Sequence, residues 1–339
     1  MRFKTSVRNI QTFTKLTASL SSLGKVAWVR LDNDAVRFTI IPETGTQVWA
    51  SLSIESIFED YTIQSAAPNN TINLELPLTP LHRALKSAIN ATSASIRLTK
   101  KEGVPVLSLT IITNTISSGH SGHGFLNGSD DPFGDNAFRE ESLDANLGRD
   151  RETIVTQDIP IRVLTADSVE GIHEPRVRES DAHIILPSLI QLKAISDRFT
   201  KLAMATANGT RASSAAPKLE LAANMHGSLK LSIATDALNI SSVWTGLNNP
   251  ELDPRQVEDG ASLEDHPSMK LKAAGPDAWS TVRIDGRDWG KVLSVGRLGG
   301  RVIACFSDEH ALILYVYLSN YDSGADESVL TYYISSFSI

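Results

Sequence analysis

The stretch from Thr71 to Thr113 predicts a helix that is apolar on one side and basic on the other, between flanking strands. Residues at helical spacing form its apolar stripe: Leu81, Ala84, Leu85 and Ala88. Arg83 and Lys86 fall on a different face of the helix. No acid occurs between Leu76 and Lys101. Such a helix packs on a sheet through one side and presents positive charge on the other.

The same strand–helix–strands pattern occurs four times along the chain. Apolar periodicity predicts helices over residues 9–23, 78–91, 187–204 and 286–298, each followed by short alternating strands. Gly24 is expected to end the first helix, and Pro187 to begin the third. Four repeats of one supersecondary unit predict an α+β fold with two domains of two units each.

The domain boundary is predicted from composition. Residues 114–150 are rich in Gly, Ser, Asn and Asp, hold seven acids against two arginines and lack a sustained period. We therefore expect a domain over 1–113, an acidic interdomain linker over 114–150 and a second domain over 151–339. Residues 247–277 contain four prolines and are expected to form a polar insertion without regular structure.

Charge is distributed unevenly over the 339 residues. The net charge is −7, yet the four predicted helices hold nine bases and two acids, so that they carry +7 and the rest of the chain −14. The nine bases are Lys15, Arg83, Lys86, Lys193, Arg198, Lys201, Arg287, Lys291 and Arg297. A solvated helix face is the simplest explanation for any one helix. Four glutamate-free helices in an acidic chain favour a surface for a polyanion. Because aromatic residues do not interleave the bases, duplex backbone binding is favoured over base stacking.

The sequence offers little that could build an active site. Cys305 is the only cysteine and alternates with apolar residues, which predicts a buried thiol and a reducing, intracellular compartment. His120 and His123 have metal-ligand spacing, but they lie in a Gly/Ser-rich run without nearby partners. The acid pairs in 114–150, at 130–131 and 140–141, lack a rigid frame, and His82 is expected to be a surface residue of the basic helix. We expect neither catalysis, a metal nor a cofactor.

The order of these segments resembles PCNA-type sliding clamps and, within them, the Hus family of DNA-damage checkpoint clamp subunits. The matching segments are LELPLTPLHRALKSAINATSASIRLTK (74–100), IVTQDIPIRVL (154–164), HIILPSLIQLKAI (183–195) and TVRIDGRDWGKVL (281–293). The resemblance extends over nearly the whole chain. It implies a PCNA-like clamp fold with the four helices on the inner face of a ring.

The resemblance also implies function and partners. It implies a nuclear, non-enzymatic subunit of a heterotrimeric ring, made with two sister subunits and placed on duplex DNA at damage by a specialised clamp loader. The ring would signal to checkpoint kinases and recruit repair enzymes, and edge strands near 104–112 and 228–235, or their neighbours, would pair between subunits. The most apolar run, 311–318, is far shorter than a membrane span, so no membrane partner is expected.

Two alternatives remain open from the sequence. The first is a homotrimeric replicative clamp, which would assemble without sister chains. The second is an α+β enzyme or ligand-binding protein whose basic helices are coincidental.

Overall fold

The computed structural model describes residues 1–43, 45–115, 151–207, 218–235, 237–251, 263–318 and 328–337. Its first half contains two β-α-β-β-β units joined by a short helix and a strand. The first unit comprises β1 (Arg2–Val7), α1 (Ile10–Ser21), β2 (Val26–Leu31), β3 (Ala35–Ile40) and β4 (Gln47–Ser53). The joining elements are α2 (Ile54–Ile57), β5 (Phe58–Gln64) and a 3-10 turn at Pro68–Asn70. The second unit comprises β6 (Ile72–Pro77), α3 (Leu78–Ser87), β7 (Ser93–Lys101), β8 (Val104–Thr115) and β9 (Arg151–Pro160).

The second half repeats this order after a connection that holds β10 (Arg162–Leu164) and α4 (Ala166–Val169). The third unit comprises β11 (Ala182–Ile185), α5 (Leu189–Ala207), β12 (Lys218–Ala223), β13 (Leu229–Thr235) and β14 (Leu238–Trp244). A 3-10 turn at Leu263–Asp265 and α6 (Pro267–Ala273) follow it. The fourth unit comprises β15 (Ser280–Asp285), α7 (Gly286–Val292), a 3-10 helix (Leu293–Leu298), β16 (Arg301–Ser307), β17 (Ala311–Tyr317) and β18 (Val329–Ser335). All four predicted helices are therefore confirmed, with small shifts at their ends.

The described strands form three antiparallel sheets. One has five strands in the order β5-β1-β7-β8-β9, and another has four in the order β14-β13-β12-β15. The third has nine strands in the order β10-β6-β2-β3-β4-β18-β17-β16-β11. In its centre β18 pairs with β4 over five residue pairs, from Val329 opposite Ser51 to Tyr333 opposite Gln47. The last strand of the chain thereby joins the two halves into one continuous sheet.

The main helices form a layer on one side of the sheets. α1 packs against α3 and against the 3-10 helix Leu293–Leu298, which in turn packs against α5. The Ser22 hydroxyl lies 3.3 Å from the Ser294 hydroxyl, and the Ser19 hydroxyl donates to the Ser294 carbonyl at 3.4 Å. Small hydroxyl side chains thus let α1 approach the second half closely. We call this contact the helix seam.

The strand pairing contradicts the expected position of the interdomain linker. β9 pairs with β8 over ten residue pairs, from Val106 opposite Pro160 to Thr115 opposite Arg151. Residues 116–150, which lie outside the described residues, therefore connect two neighbouring strands of one sheet. The chain instead crosses between its halves over residues 161–181. Composition marked a long connection correctly, but long-range hydrogen bonding decides which strands it joins.

The expectation of an irregular 247–277 insertion is wrong for its last part. α6 begins at Pro267, where the missing N–H of proline is harmless, and the His266 side chain accepts a hydrogen bond from the Ser268 N–H. Residues 252–262 of the insertion lie outside the described residues. Proline thus begins a helix here instead of preventing one.

Two uncovered sheet edges in the part of the chain that the structure describes expose apolar side chains. β9 ends the five-stranded sheet and β14 ends the four-stranded sheet. The resemblance implied that strands near 104–112 and 228–235, or their neighbours, would be edges. The structure has those two strands inside their sheets and their neighbours β9 and β14 at the edges. Both expose apolar side chains: Ile154 is 61% exposed, Val155 43% and Val243 52%. The opposite edge, β15, is covered where the Phe337 N–H donates to the Arg283 carbonyl at 2.8 Å.

We predict that Gly300→Ala destabilises the fold by about 3 kcal/mol or more. A Cβ at Gly300 would lie 2.1 Å from the Tyr317 carbonyl oxygen, and its φ of +102° is unfavourable for any L side chain. Gly103→Ala is the matched control, since Gly103 has a φ of +83° with no atom within 4 Å of the added Cβ, and about 1 kcal/mol is expected. Urea unfolding of both variants measures the difference, and equal losses would contradict the prediction.

We also predict a histidine contribution to the pH dependence of stability. His183 on β11 is 4% exposed, and its Nδ1 atom has no hydrogen-bond partner in the described residues. Burial lowers the pKa of this imidazole, and the nearby His266 and Lys272 lower it further. A hydrogen bond to the Pro250 carbonyl acts in the opposite direction and raises the pKa, but by less than burial lowers it. His183 is therefore protonated more readily in the unfolded chain than in the folded chain. The free energy of unfolding should fall as the pH falls through about 6.5, the usual pKa of an unfolded histidine.

His183→Gln tests this dependence. The wild-type chain should lose more unfolding free energy than the variant between pH 7.5 and pH 5.5, because only the wild type has this imidazole to protonate on unfolding. Chemical denaturation across that range measures both slopes. Parallel slopes for the two proteins would show that His183 is not responsible.

Candidate nucleic-acid interface

The predicted basic residues all lie on the helix layer. Eight of the nine are exposed, and Lys193 is half-buried. The apolar sides of the helices face the sheets, where residues such as Leu16, Leu81 and Leu192 are fully buried. Amphipathic spacing therefore places the bases on the open side of the layer. Within the described helices, acids near these bases are confined to α5 and α7.

Two of the nine bases are occupied by structural contacts. Lys193 Nζ donates to the Gly290 carbonyl at 2.7 Å and lies 3.1 Å from an Asp197 carboxylate oxygen. Lys291 Nζ lies 2.8 Å from Asp288 Oδ1. Lys193 thus binds α5 to α7. The sequence could not reveal this role, because Gly290 is distant in the chain and reaches Lys193 only through packing.

The other seven bases make no ion pair with the residues that the structure describes. They are Lys15, Arg83, Lys86, Arg198, Lys201, Arg287 and Arg297. Of these, Arg287 makes only a weak contact of 3.6 Å with the Met204 sulfur. Exposed cations without counter-charges keep their full attraction for an external anion. The arrangement suits the phosphates of a nucleic-acid backbone, to which it offers charge without a base-specific reading surface.

Among the described residues, the remaining candidate groups do not form a reactive site. Burial raises the pKa of the Cys305 thiol to about 12, so that it stays protonated at neutral pH. The His82 ring is half-buried and lies 3.5 Å from the Thr17 hydroxyl, within the α1–α3 contact and not fully on the surface as expected. His120, His123 and the acid pairs of 114–150 lie outside the described residues. Among the described residues, no group of three His, Cys, Asp or Glu side chains could hold a metal ion.

A cavity that sequence reasoning missed lies on the side of the nine-stranded sheet away from the helices. Its volume is about 380 Å³, and its floor includes Trp28 and Trp49. Val169 and Ile172 of the 161–181 connection form one wall. The Trp49 indole N–H is buried without a hydrogen-bond partner in the described residues. Sequence periodicity could not show this cavity, because the strand register alone aligns Trp28, Thr39 and Trp49 in one row.

Comparison with known proteins agrees with this architecture. The family model described as Hus1-like protein matches residues 1–338. The chain belongs to the Hus1-like family. It is 38% identical to the "Checkpoint protein hus1" of Schizosaccharomyces pombe over 338 residues, which cover 99% of each chain. It is 25% identical to the Homo sapiens "Checkpoint protein HUS1" over 271 residues, which cover 78% of this chain and 80% of the human protein.

Solved structures show that this Hus1-like chain has the sliding-clamp fold. It superposes on proliferating cellular nuclear antigen from Entamoeba histolytica with a TM-score of 0.62 and 12% identity, covering 99% of this chain and 98% of the other. PCNA from Thermococcus kodakaraensis gives a TM-score of 0.59 at 14% identity and covers 99% and 100%. The predicted α+β clamp fold is therefore confirmed. In the described residues, no helix is long and apolar enough to cross a membrane.

We predict that Lys193 matters more for stability than the neighbouring Lys201. Lys193→Met removes the donor to the Gly290 carbonyl and the partner of Asp197, which should cost about 1 kcal/mol because the site is partly exposed. Lys201→Met, a control on the same helix, should change stability by less than about 0.5 kcal/mol. Denaturant unfolding measures both variants, and an equal change in both would contradict a structural role for Lys193.

Proposed function

We propose that this Hus1-like chain is a non-enzymatic subunit of a heterotrimeric checkpoint clamp that encircles duplex DNA. The observation that carries the proposal is the layer of four helices with seven exposed, unpaired bases on a clamp fold of net charge −7. The relatives' names support the checkpoint role, and those of the superposed structures support a clamp. In this arrangement the helix layer faces the DNA.

The contact with DNA is proposed to be electrostatic and independent of sequence. Long, flexible Lys and Arg side chains on a rigid layer can follow phosphates without reading base edges. Lys193 and Lys291 contribute less than the other seven bases, because acids of this chain already neutralise them. A ring held in this way can stay on DNA and still slide.

Ring closure is proposed to use the two uncovered edge strands. β9 and β14 lie in different sheets, and each offers unpaired backbone groups together with exposed apolar side chains. A strand from one sister subunit would extend the five-stranded sheet, and a strand from the other would extend the four-stranded sheet. The two edges differ in residues, as a head-to-tail ring requires.

The division into domains is also part of the proposal. We place the junction at residues 161–181, which gives an N-terminal domain of 1–160 and a C-terminal domain of 182–339. The 380 Å³ cavity beneath this connection is the proposed docking place for repair enzymes. A dedicated clamp loader and a nuclear location complete the proposal. The loader is needed because a closed ring must be opened before DNA can enter it, and the nucleus is where a checkpoint clamp would meet chromosomal DNA.

We predict that Arg83→Gln, Lys86→Gln and Arg198→Gln, made together, weaken duplex binding by the assembled ring. Each phosphate contact contributes about −0.9 to the slope of log K against log salt, so the slope should become shallower by up to about 3. Fluorescence anisotropy with a duplex at several salt concentrations measures the slope. An unchanged slope would rule out the helix layer as the DNA surface.

The control variant carries the same numbers of substituted Arg and Lys residues on the opposite side of the protein: Arg2→Gln, Lys4→Gln and Arg97→Gln. Its duplex binding should match that of the unmodified ring, because these side chains point away from the helices. Sedimentation of the chain alone provides a second check. A discrete self-assembled trimer would favour the homotrimeric alternative over the heterotrimer.

A further inference from the structure

The outer face of the five-stranded sheet, away from the helices, carries a second and separate basic cluster. Lys4 on β1 stands in register with Arg97 on β7. Arg2 precedes Lys4 by two residues and so points to the same face. All three are exposed, while the alternate residues Phe3 and Thr5 are buried. We call Arg2, Lys4 and Arg97 the outer-face triad.

No described acid forms an ion pair with the triad, although the exposed acids Glu59 and Asp60 lie nearby on β5. Side chains directly opposite on neighbouring strands are about 5 Å apart at Cβ, and like charges in that position are destabilising. None of the three makes an ion pair with the described residues. On β5, Glu59 stands opposite Ser6, two residues beyond Lys4. Asp158 on β9 already forms an ion pair with Lys101. The hydrogen bond from Lys101 lowers the pKa of the Asp158 carboxyl, and a hydrogen bond from Ser108 lowers it by a smaller amount.

Neutral hydrogen-bonding groups surround the triad. Thr62 lies opposite Lys4 on one side of the cluster and is exposed, whereas Ser108, opposite Arg97 on the other side, is buried and already bonds Asp158. Ser95 and Thr99 flank Arg97 along β7 and point to the same face. A compact oxyanion placed here would accept hydrogen bonds from the hydroxyl groups, and the two cations would neutralise its charge. Within the described residues, an unneutralised cationic pair with this rim points to an anionic ligand from outside the sheet.

We propose that the outer-face triad binds a phosphorylated serine or threonine in an extended segment of a partner protein. A phosphate carries close to two negative charges at neutral pH and three acceptor oxygens, so that it can bridge Lys4 and Arg97 and relieve their repulsion. Arg2 lies about 7 Å further along the strand, where it would meet an acidic residue beside the phosphate. One carboxylate, with a single charge, would neutralise the pair only partly.

A duplex backbone fits this cluster less well than a phosphorylated side chain. The triad is confined to one place on two strands, whereas a duplex presents phosphates in long rows. The unpaired bases of the helix layer lie on the opposite side of the protein, so the two cationic surfaces cannot bind one duplex together. This binding surface is independent of the proposed ring function, because it uses none of the residues assigned to the helix layer, the edges or the cavity.

The test uses the full chain and an array of extended peptides with randomised flanks. Each peptide is present with a central serine, phosphoserine or aspartate. We expect at least tenfold stronger retention of a subset of phosphoserine peptides than of their serine and aspartate counterparts. Arg2→Gln, Lys4→Gln and Arg97→Gln, made together, should abolish this preference. The helix-layer variant Arg83→Gln, Lys86→Gln and Arg198→Gln should retain it.

Three outcomes would overturn the proposal. They are equal retention of phosphoserine and serine peptides, equal retention of phosphoserine and aspartate peptides, and a preference that survives in the outer-face variant. Circular dichroism and sedimentation of both variants should match the unmodified chain, since all six substituted side chains are exposed.

Discussion

The fold depends on two contacts that join the halves of the chain, one in the sheet and one in the helix layer. β18 returns from the end of the chain to pair with β4, which makes the nine-stranded sheet continuous. Above it, the helix seam brings Ser19 of α1 and its C-cap Ser22 against Ser294. Together these contacts hold four helices from distant parts of the chain in one layer. Without them the basic helices would be separate solvated faces.

Electrostatics follows from this packing. Because each helix buries its apolar stripe on a sheet, its basic side chains lie on the solvent-exposed side of the layer. The same packing leaves Lys193 less available to an external anion. α7 lies close enough to α5 for the Gly290 carbonyl to accept a hydrogen bond from the Lys193 ammonium group. A Cβ at position 290 would lie 3.0 Å from Asp197 Oδ1, so the absence of a side chain there supports this contact. Charge on the layer is therefore a product of fold as well as of composition.

Local patterns predicted the elements well and their partners poorly. The helices α3 and α7 begin at Leu78 and Gly286, as predicted, because amphipathic spacing and turn residues act over a few neighbours. The acidic stretch 114–150 does not join the two halves as composition predicted, because the strands β8 and β9 on either side of it pair in one sheet. α6 was missed because Pro267 occupies the first turn of a helix, where proline is tolerated.

The sequence by itself determined that four amphipathic, base-rich helices alternate with short strands. The clamp fold was predicted from the resemblance of these segments to sliding clamps. Only the tertiary structure decided which bases remain free, which edges are open and where the halves meet. The physical reason is that helix periodicity is local, whereas strand pairing and ion pairing join residues far apart in the chain. The cavity over Trp28 and Trp49 and the outer-face triad both arise from strand register, which no single segment contains.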